Sequence, residues 1–356
     1  MALQLSKRYF ELGKLVHEDI LLSDTGVSRE EMKNNFEKFN EYEEENYSTE
    51  PLKCLCGNDD SYKISEADRE GNFYPLVICN SCGLIRAKDY WKQEFIEDFY
   101  KNRYRQKYEG GKEPKEKTLL LFFEAQKAHS KQVYQFVKDF IGELPQPFET
   151  FDIGGGAGGM LDSFKEISNC TVFDFYTTFL NIGSKNGFKT LEGGIEDIKT
   201  TGIKPDFVIL SHVIEHIPDL NKVLEGLASS LKSGSLVYIE VPSIDGLTNG
   251  AYYYDFLRHI HKPHVYYFSV GVLNNLMQRH GFDVLKVNHN LSGLYQFNNQ
   301  MDERVRLRNC HDEVVSLIKN AETKRKFRII YIYYFLNKVK SLLNKIFKLN
   351  LPLHSV

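Results

Sequence analysis

One turn, between a buried strand and the segment that follows it, constrains the fold of this chain more than any other feature. The apolar stretch FETFDI (148–153) runs directly into Gly154, Gly156 and Gly159, which satisfy the pattern G-x-G-x-x-G. Glycines let the backbone turn sharply and approach a ligand closely, and a helix starting here would add the positive end of its dipole. The pattern predicts a strand–turn–helix unit of an α/β fold with a ligand site at the turn.

The chain beyond this turn alternates between strand-like and helix-like patterns. Residues 206–214 are nearly all apolar, as in a strand buried on both faces. Alternation at this spacing predicts a parallel, doubly wound, Rossmann-like sheet. Further strands are expected at 171–175, within 189–198, and at 235–243, 283–290 and 293–300, and helices at 116–141, 160–167, 179–188, 220–234 and 270–280.

Acidic residues follow three of the predicted strands. Asp152 lies two residues before Gly154, near the end of the first strand, and Asp174 ends the second, where a carboxylate can bind ribose hydroxyls. Glu196 and Asp197 follow the third, where a side chain can reach an adenine amino group. The first two positions also fit nicotinamide or flavin enzymes. The third, together with the HVIEHI segment and the closing pair of strands, favours a different family.

The motifs together resemble those of class I S-adenosylmethionine-dependent methyltransferases. DIGGGAGG (152–159) is similar to their first motif, and residues 206–243 to their fourth strand, its helix and the fifth strand. HKPHVYYFSVGVLNNLMQRHGFDVLKV (261–287) resembles the H-x-x-YFS stretch of a subgroup found in bacterial sugar and surface-polysaccharide pathways. That subgroup often carries an N-terminal zinc-binding module. The resemblance covers about residues 51–300.

This resemblance implies a role for individual residues around the cofactor. Asp152 would act on the amino group of S-adenosylmethionine, and Asp174 would bind its ribose, with Phe175 against the adenine. Glu196 or Asp197 would contact the adenine amino group. The methionine and ribose part would be lined by Gly154, Gly156 and Gly158, and Ser211 and His212 would lie beneath the sulfonium.

Histidines crowd the region after the fourth and fifth strands, where open α/β sheets bind their ligands. A hydroxyl or acidic C–H acceptor needs a general base, and histidine suits that role near neutral pH. His264 is the first candidate because it matches the histidine of the H-x-x-YFS stretch, and Tyr267 could assist it. The subgroup commonly has Glu before this histidine, whereas this chain has Pro263.

The segment His212-x-x-Glu215-His216 leaves three interpretations open. Glu215 and His216 could form a structural hydrogen-bonded pair. Alternatively, His212, Glu215 and His216 could hold a divalent metal together with His264. Such a metal would polarise the acceptor oxygen. His212 could also act directly in catalysis.

Four cysteines form two closely spaced pairs near the N-terminus. Cys79-x-x-Cys82-Gly has the spacing of a zinc half-site, whereas Cys54-x-Cys56-Gly has one residue fewer. We expect a structural Zn²⁺ that stabilises a small zinc-ribbon-like module. Four reduced cysteines without metal are the alternative.

Composition and pattern divide the chain of 356 residues into five expected parts. The 42% hydrophobic and 26% charged residues exclude collagen-like and wholly disordered chains. Because no apolar run is long enough to span a bilayer and the N-terminus has no signal-peptide core, we expect a cytoplasmic protein with reduced thiols. The parts are a helical extension (1–50), the cysteine module (51–90), a helical connector (91–145), the methyltransferase domain (146–300) and a basic helical tail (301–356).

The tail differs in charge from the rest of the chain. Residues 301–356 hold twelve Lys/Arg and five Asp/Glu, a net +7, so the overall −3 leaves −10 on residues 1–300. From 335 to 348 apolar residues fall on one side of a helix and lysines on the other. Such a helix can lie on an anionic membrane, here through residues 324–348 at the inner membrane face, or it can pack on the domain or on a partner. Nucleic acid binding is not expected.

Methyl transfer from S-adenosylmethionine to a sugar hydroxyl, on a nucleotide-sugar or a surface glycan, is the function we expect. One alternative is C-methylation of a keto-sugar nucleotide, although relatives of that kind usually carry a further C-terminal domain and only 56 residues follow Gln300. Others are a non-catalytic, cofactor-binding scaffold of a membrane glycan complex and an RNA methyltransferase. The sequence predicts no particular oligomeric state.

Overall fold

The computed structural model describes residues 2–13, 29–104, 116–300 and 308–347. Within them the α-helices are α1 (Arg29–Asn46), α2 (Gln93–Asp98), α3 (Glu116–Ile141), α4 (Thr177–Lys185), α5 (Leu220–Ser230), α6 (Ile244–Leu247), α7 (Phe256–His259), α8 (Val270–Arg279) and α9 (His311–Phe347). The strands are β1 (Thr49–Pro51), β2 (Ser61–Ala67), β3 (Phe73–Cys79), β4 (Ile85–Ala87), β5 (Asp89–Trp91), β6 (Phe148–Ile153), β7 (Ser168–Asp174), β8 (Lys189–Glu192), β9 (Phe207–Ser211), β10 (Leu236–Glu240), β11 (Tyr266–Tyr267), β12 (Phe282–Val287) and β13 (Ser292–Phe297).

The central sheet has seven strands in the order β12-β13-β10-β9-β6-β7-β8. Strand β13 is antiparallel to both of its neighbours, and the pairs from β10 to β8 are parallel. The predicted Rossmann-like α/β fold is therefore confirmed. The chain moves outward from β6 in one direction through β7 and β8, and in the other through β9 and β10. The carboxyl ends of β6 and β9 thus flank a switch point, where such sheets bind ligands.

The predicted helix at 160–167 is wrong. The segment forms only a short 3₁₀ turn at Gly159–Leu161 before β7 begins. Helix α3 covers this face of the sheet instead, so closely that a Cβ at Gly159 would lie 2.5 Å from the carbonyl oxygen of Phe123. Leu161 and Phe164 are buried in one cluster with residues of α3 and β6. Since no long helix starts at the glycine turn, the dipole contribution expected there is absent from this site.

A second, four-stranded sheet has the order β11-β4-β3-β2. Three of its strands come from the cysteine module, whereas β11 comes from the segment between β10 and α8 and pairs with β4. Buried residues of this sheet and of the central sheet form one continuous core. The cysteine module therefore packs directly against the segment that carries His264. The division of the chain into five parts stays a prediction.

The C-terminal helix α9 is longer than the amphipathic stretch from which it was predicted. Its first part packs on the body through Val314, Ile318 and Ala321, which are fully buried. The helix continues to Phe347, and Lys348 lies outside the described residues. Within the described ranges, no helix has the length and apolar character that crossing a bilayer requires.

Candidate active site

The glycine turn after β6 requires glycine at several positions, for reasons of backbone angle or of space. Gly154, Gly156 and Gly158 have φ angles of 67°, 58° and 78°, the left-handed region that side chains disfavour. A Cβ at Gly155 would lie 2.2 Å from Oδ2 of Asp152. Gly158 faces the core rather than the crevice, because its Cβ would meet Phe188 and Val172.

Asp174 is fixed at the end of β7 by two backbone donors. Its carboxylate accepts hydrogen bonds from the N–H of Gly156 and from the N–H of Tyr176, each at 2.8 Å. The next side chain, Phe175, is 58% exposed. The Phe175 ring stands beside Gly194, where a Cβ would come within 3.2 Å of it. The fixed carboxylate of Asp174 and the exposed ring of Phe175 therefore lie side by side at the carboxyl end of β7.

Glu196 and Asp197, two alternatives in the sequence, have different surroundings in the structure. The Asp197 carboxylate accepts a hydrogen bond from the N–H of Gly194 at 2.9 Å and lies against Gly193. It therefore holds the loop after β8 in shape. Glu196 is exposed at the same loop, on the side of Phe175. Of the two, Glu196 is the side chain better placed to meet a ligand.

Asp152 is buried beneath the glycine turn. Its Oδ2 accepts no hydrogen bond from any described residue. Burial, and to a smaller degree the charge of Asp174, raises the pKa of Asp152 to about 8. A buried carboxyl group without a partner is costly, which makes this oxygen a position where a bound cation would be stabilised.

An ion pair that sequence reasoning missed joins α3 to the end of β10. Nε2 of His129 lies 2.7 Å from Oε2 of Glu240, and the Ser211 hydroxyl donates to the same oxygen at 3.1 Å. Burial is the largest single influence and raises the pKa of Glu240, but the hydrogen bonds and charges of His129, His212 and Ser211 together outweigh it, so the net shift is downward. Glu240 ends the fifth strand as Asp174 ends the second, and that parallel was the signal available in the sequence.

Glu215, His216 and His264 come together beside this edge. One ligand atom from each lies within 4.8 Å of the others. The rings of His216 and His264 meet edge-on with centroids 4.8 Å apart. Glu215 is buried, with Oε1 3.3 Å from Nδ1 of His212 and 3.7 Å from Nε2 of His216. His212 itself has a strained, left-handed φ of 56°.

Both histidines of the pair are held in the neutral form. Burial is the main cause that lowers the pKa of His216, and it places the pKa of His264 well below 6.5, helped by the neighbouring His216 and His261. Nδ1 of His216 lies 3.0 Å from the carbonyl oxygen of Pro263 and 2.8 Å from the Tyr100 hydroxyl, and it donates to the carbonyl oxygen when it carries the proton. Nε2 of His216 is then left with a lone pair.

Tyr267 lies deeper than the histidines. Its hydroxyl donates to the carbonyl oxygen of His261 and accepts from the N–H of His261, both at 3.0 Å. Its ring centroid is 6.3 Å from that of His264. The contacts of Tyr267 are thus with the backbone of the loop that carries His264. Its expected catalytic role stays a prediction.

The structure brings the four cysteines of the N-terminal module together. The Sγ atoms of Cys54 and Cys82 are 3.5 Å apart, those of Cys54 and Cys56 3.5 Å, and those of Cys56 and Cys79 3.7 Å. Ligands about 2.3 Å from a tetrahedral zinc ion are separated by about 3.8 Å, whereas a disulfide needs about 2.05 Å. The donor set therefore fits Zn²⁺, although one pair is a residue shorter than the usual spacing.

Comparison with known proteins assigns part of the chain to a family. Residues 125–287, from α3 to the end of β12, match a family model described as a methyltransferase domain. This part of the chain is a methyltransferase domain. The C-methyltransferase NovU of Streptomyces niveus is 28% identical over 142 residues, which cover 38% of this chain and 33% of NovU. The match therefore spans about a third of that relative.

Comparison with solved structures gives matches of low similarity. Magnesium protoporphyrin IX methyltransferase from Synechocystis PCC 6803, with bound SAH, has a TM-score of 0.39 and 15% identity, covering 57% of this chain and 98% of that one. An O-methyltransferase family protein from Burkholderia thailandensis has a TM-score of 0.40 and 14% identity, covering 58% and 67%. At these values neither similarity bears on function.

A methyltransferase domain of this class uses S-adenosylmethionine, and the residues at the turn fit it. The cofactor carries an ammonium group and a sulfonium, both cationic. The buried Oδ2 of Asp152, which has no partner among the described residues, is a position where a nearby cation would favour the ionised carboxylate, and Asp174 provides a fixed acceptor for hydroxyls. The exposed Phe175 ring provides a face for an adenine.

Proposed function

We propose that this protein transfers a methyl group from S-adenosylmethionine to a hydroxyl of a sugar, in a nucleotide-sugar or surface-polysaccharide pathway. The observation that carries the proposal is the pair of neutral histidines, His216 and His264, beside buried Glu215 at the carboxyl edge of β9. The sugar acceptor is supported by the resemblance of residues 261–287 to the polysaccharide subgroup.

Methyl transfer requires the protein to align the methyl donor with the acceptor and to supply a general base. When bound, S-adenosylmethionine supplies a methyl group on a sulfonium sulfur, open to attack by an oxygen in line with the S–C bond. His264 would take the hydroxyl proton as the new C–O bond forms and the S–C bond breaks, with the electron pair of that bond left on the departing neutral thioether. Glu215, buried within the cluster, stabilises the positive charge that the histidine pair then carries. His216 is the second candidate for the base, since its Nε2 has a lone pair when Nδ1 carries the proton.

C-methylation of a keto-sugar nucleotide is the second candidate function. The name of NovU, a C-methyltransferase, is the observation that favours it. The same histidine would then remove a proton from the carbon next to a carbonyl group. A product made with ¹³C-labelled methyl groups separates the two functions, because a methoxy group and a C-methyl group give distinct carbon NMR signals.

The acceptor class can be tested with the full chain and radiolabelled cofactor. Fractionated sugar nucleotides, glycans and RNA are each incubated with the protein, and each fraction is assayed for incorporated label. Label in a sugar fraction supports the proposal, and label in RNA alone contradicts it. A protein that binds cofactor and labels no fraction would be the non-catalytic scaffold.

We further propose a structural Zn²⁺ bound by Cys54, Cys56, Cys79 and Cys82, supported by the Sγ separations. The ion would take no part in methyl transfer. It would hold together β3, β4 and the turn beside them, and through the pairing of β4 with β11 it would fix the backbone next to His264. Thiolate ligands need a reducing compartment, so the cytoplasm is the proposed location.

A further inference from the structure

The last part of helix α9 carries a surface that the catalytic site does not use. We call residues 326–347 the tail helix. The preceding part of α9 is clamped to the body: Arg8 bonds to Asp255 and to Glu322, and Nζ of Lys324 donates to the carbonyl oxygen of Thr248 at 2.7 Å. Beyond this clamp the helix leaves the core.

Large apolar side chains cover the tail helix and remain in solvent. Their exposure contrasts with Val314 and Ile318 in the same helix, which are fully buried. Single exposed apolar residues are ordinary, but a run of them along one helix marks an interaction surface. Six of the described side chains are 51–70% exposed, namely Phe327, Ile330, Tyr331, Tyr334, Phe335 and Leu342.

The charge of the same segment is of one sign. Residues 326–347 contain five Lys or Arg and no Asp or Glu. The cations lie close to exposed aromatic rings. Cζ of Arg328 is 4.4 Å from the ring centroid of Tyr253 on the body, and Nζ of Lys338 is 5.9 Å from the ring centroid of Tyr334 in the tail helix. A second copy of the helix would bring like charges side by side, whereas an anionic surface would neutralise them.

We propose that the tail helix binds an anionic membrane surface, lying in the interface plane rather than crossing the bilayer. Aromatic and aliphatic side chains would enter the headgroup–acyl boundary, and the lysines and arginines would contact anionic headgroups. Because the clamp at Arg8, Asp255 and Glu322 fixes the helix to the body, binding would hold the methyltransferase domain in one orientation at the membrane.

The test is co-sedimentation of the full-length protein with vesicles. Phosphatidylcholine vesicles containing phosphatidylglycerol should retain the protein, and pure phosphatidylcholine vesicles should retain at least tenfold less. Raised salt should weaken retention, since exposed charges are screened. Failure to sediment with the anionic vesicles at low salt would overturn the proposal.

Matched variants separate the tail helix from other exposed apolar positions. Tyr331→Ser/Leu342→Ser should reduce vesicle binding at least tenfold. Leu12→Ser/Phe73→Ser changes two similarly exposed residues on the body and should bind as the wild type does. Equal binding by both double variants contradicts the proposal. So does a wild-type dimer in sedimentation velocity that the tail variant dissociates while vesicle binding is absent.

The outcome is independent of the proposed catalysis. Cofactor binding is measured in the same preparations, and both double variants should bind S-adenosylmethionine as the wild type does. A protein that binds vesicles but transfers no methyl group would retain this inference and lose the proposed function. A protein that transfers methyl groups but does not bind vesicles would retain the proposed function and lose this inference.

Discussion

The ring of His216 meets the ring of His264 edge-on at 4.8 Å, although 48 positions separate the two in the chain. One follows β9 and the other precedes β11, so the pair joins the central sheet to the sheet of the cysteine module. Buried Glu215 completes the cluster. The candidate base is thus built where two sheets meet.

The carboxylate of Asp174 is expected to determine cofactor affinity. Asp174→Asn keeps the shape but removes the charge and one acceptor, so S-adenosylmethionine should bind at least tenfold more weakly. Isothermal titration calorimetry measures the affinity. Asp283→Asn, at an exposed position on β12, is the matched control and should bind normally. Equal affinity in the two variants would remove Asp174 from the cofactor site.

The pH dependence of the rate should reveal a general base with an unusually low pKa. Burial and the neighbouring His216, His261 and Arg69 lower the pKa of His264, so its base form persists below pH 6.5. The rate should therefore be flat from about pH 6.5 to 8 and fall only at lower pH, below the ordinary histidine pKa of about 6.5. Initial rates at saturating cofactor test this. A rate that still climbs between pH 7 and 8 would argue against His264.

His259 should make the fold sensitive to acid. Burial, and then the charge of Arg69, lowers the pKa of His259 to about 3, whereas an unfolded histidine titrates near its model value of 6.5. Between these values the unfolded chain binds the extra proton, so stability is lost as pH falls below 6.5, by up to about 1.4 kcal/mol per pH unit.

His259→Phe should remove much of that dependence, because both ring nitrogens lack a hydrogen-bond partner among the described residues and the neighbours Tyr252 and Phe256 are aromatic. Urea midpoints at pH 7.5 and 5 measure the effect, with exposed His289→Phe as the control. The same pH dependence in both variants would contradict the assignment.

Zinc should be present and structural. The purified protein should contain close to one Zn²⁺ per chain by elemental analysis, and a chelator should lower the thermal midpoint by several degrees. Cys79→Ser should lose the metal, whereas Cys170→Ser should keep it. Full metal content in Cys79→Ser would show that the ion lies elsewhere.

The sheet could be predicted because its signals are local. Residues 207–210 are apolar and buried on both faces, and the glycine turn fixes where β6 ends. The helix at 160–167 was wrong because α3, earlier in the chain, fills the layer that such a helix would occupy. The sequence of residues 160–167 alone gives no sign that α3 takes this place on the sheet.

The glycines and Asp174 could be predicted because they lie where strands end, and His264 because it matches the H-x-x-YFS stretch. Glu240 also ends a strand, but its partner His129 lies 111 positions away on a helix, so local spacing could not reveal the pair. The choice between Glu196 and Asp197 likewise depended on a single backbone contact, from Gly194 to Asp197.

The most direct test of the central claim is methyl transfer by His264→Ala compared with His289→Ala. Both variants should bind S-adenosylmethionine within twofold of the wild type. With the sugar fraction that accepts label, His264→Ala should transfer methyl groups at least 100-fold more slowly, since a positioned base contributes about 10² to 10⁴ in rate. The exposed His289→Ala should keep the wild-type rate. Wild-type transfer by His264→Ala, with cofactor binding intact, would contradict the account.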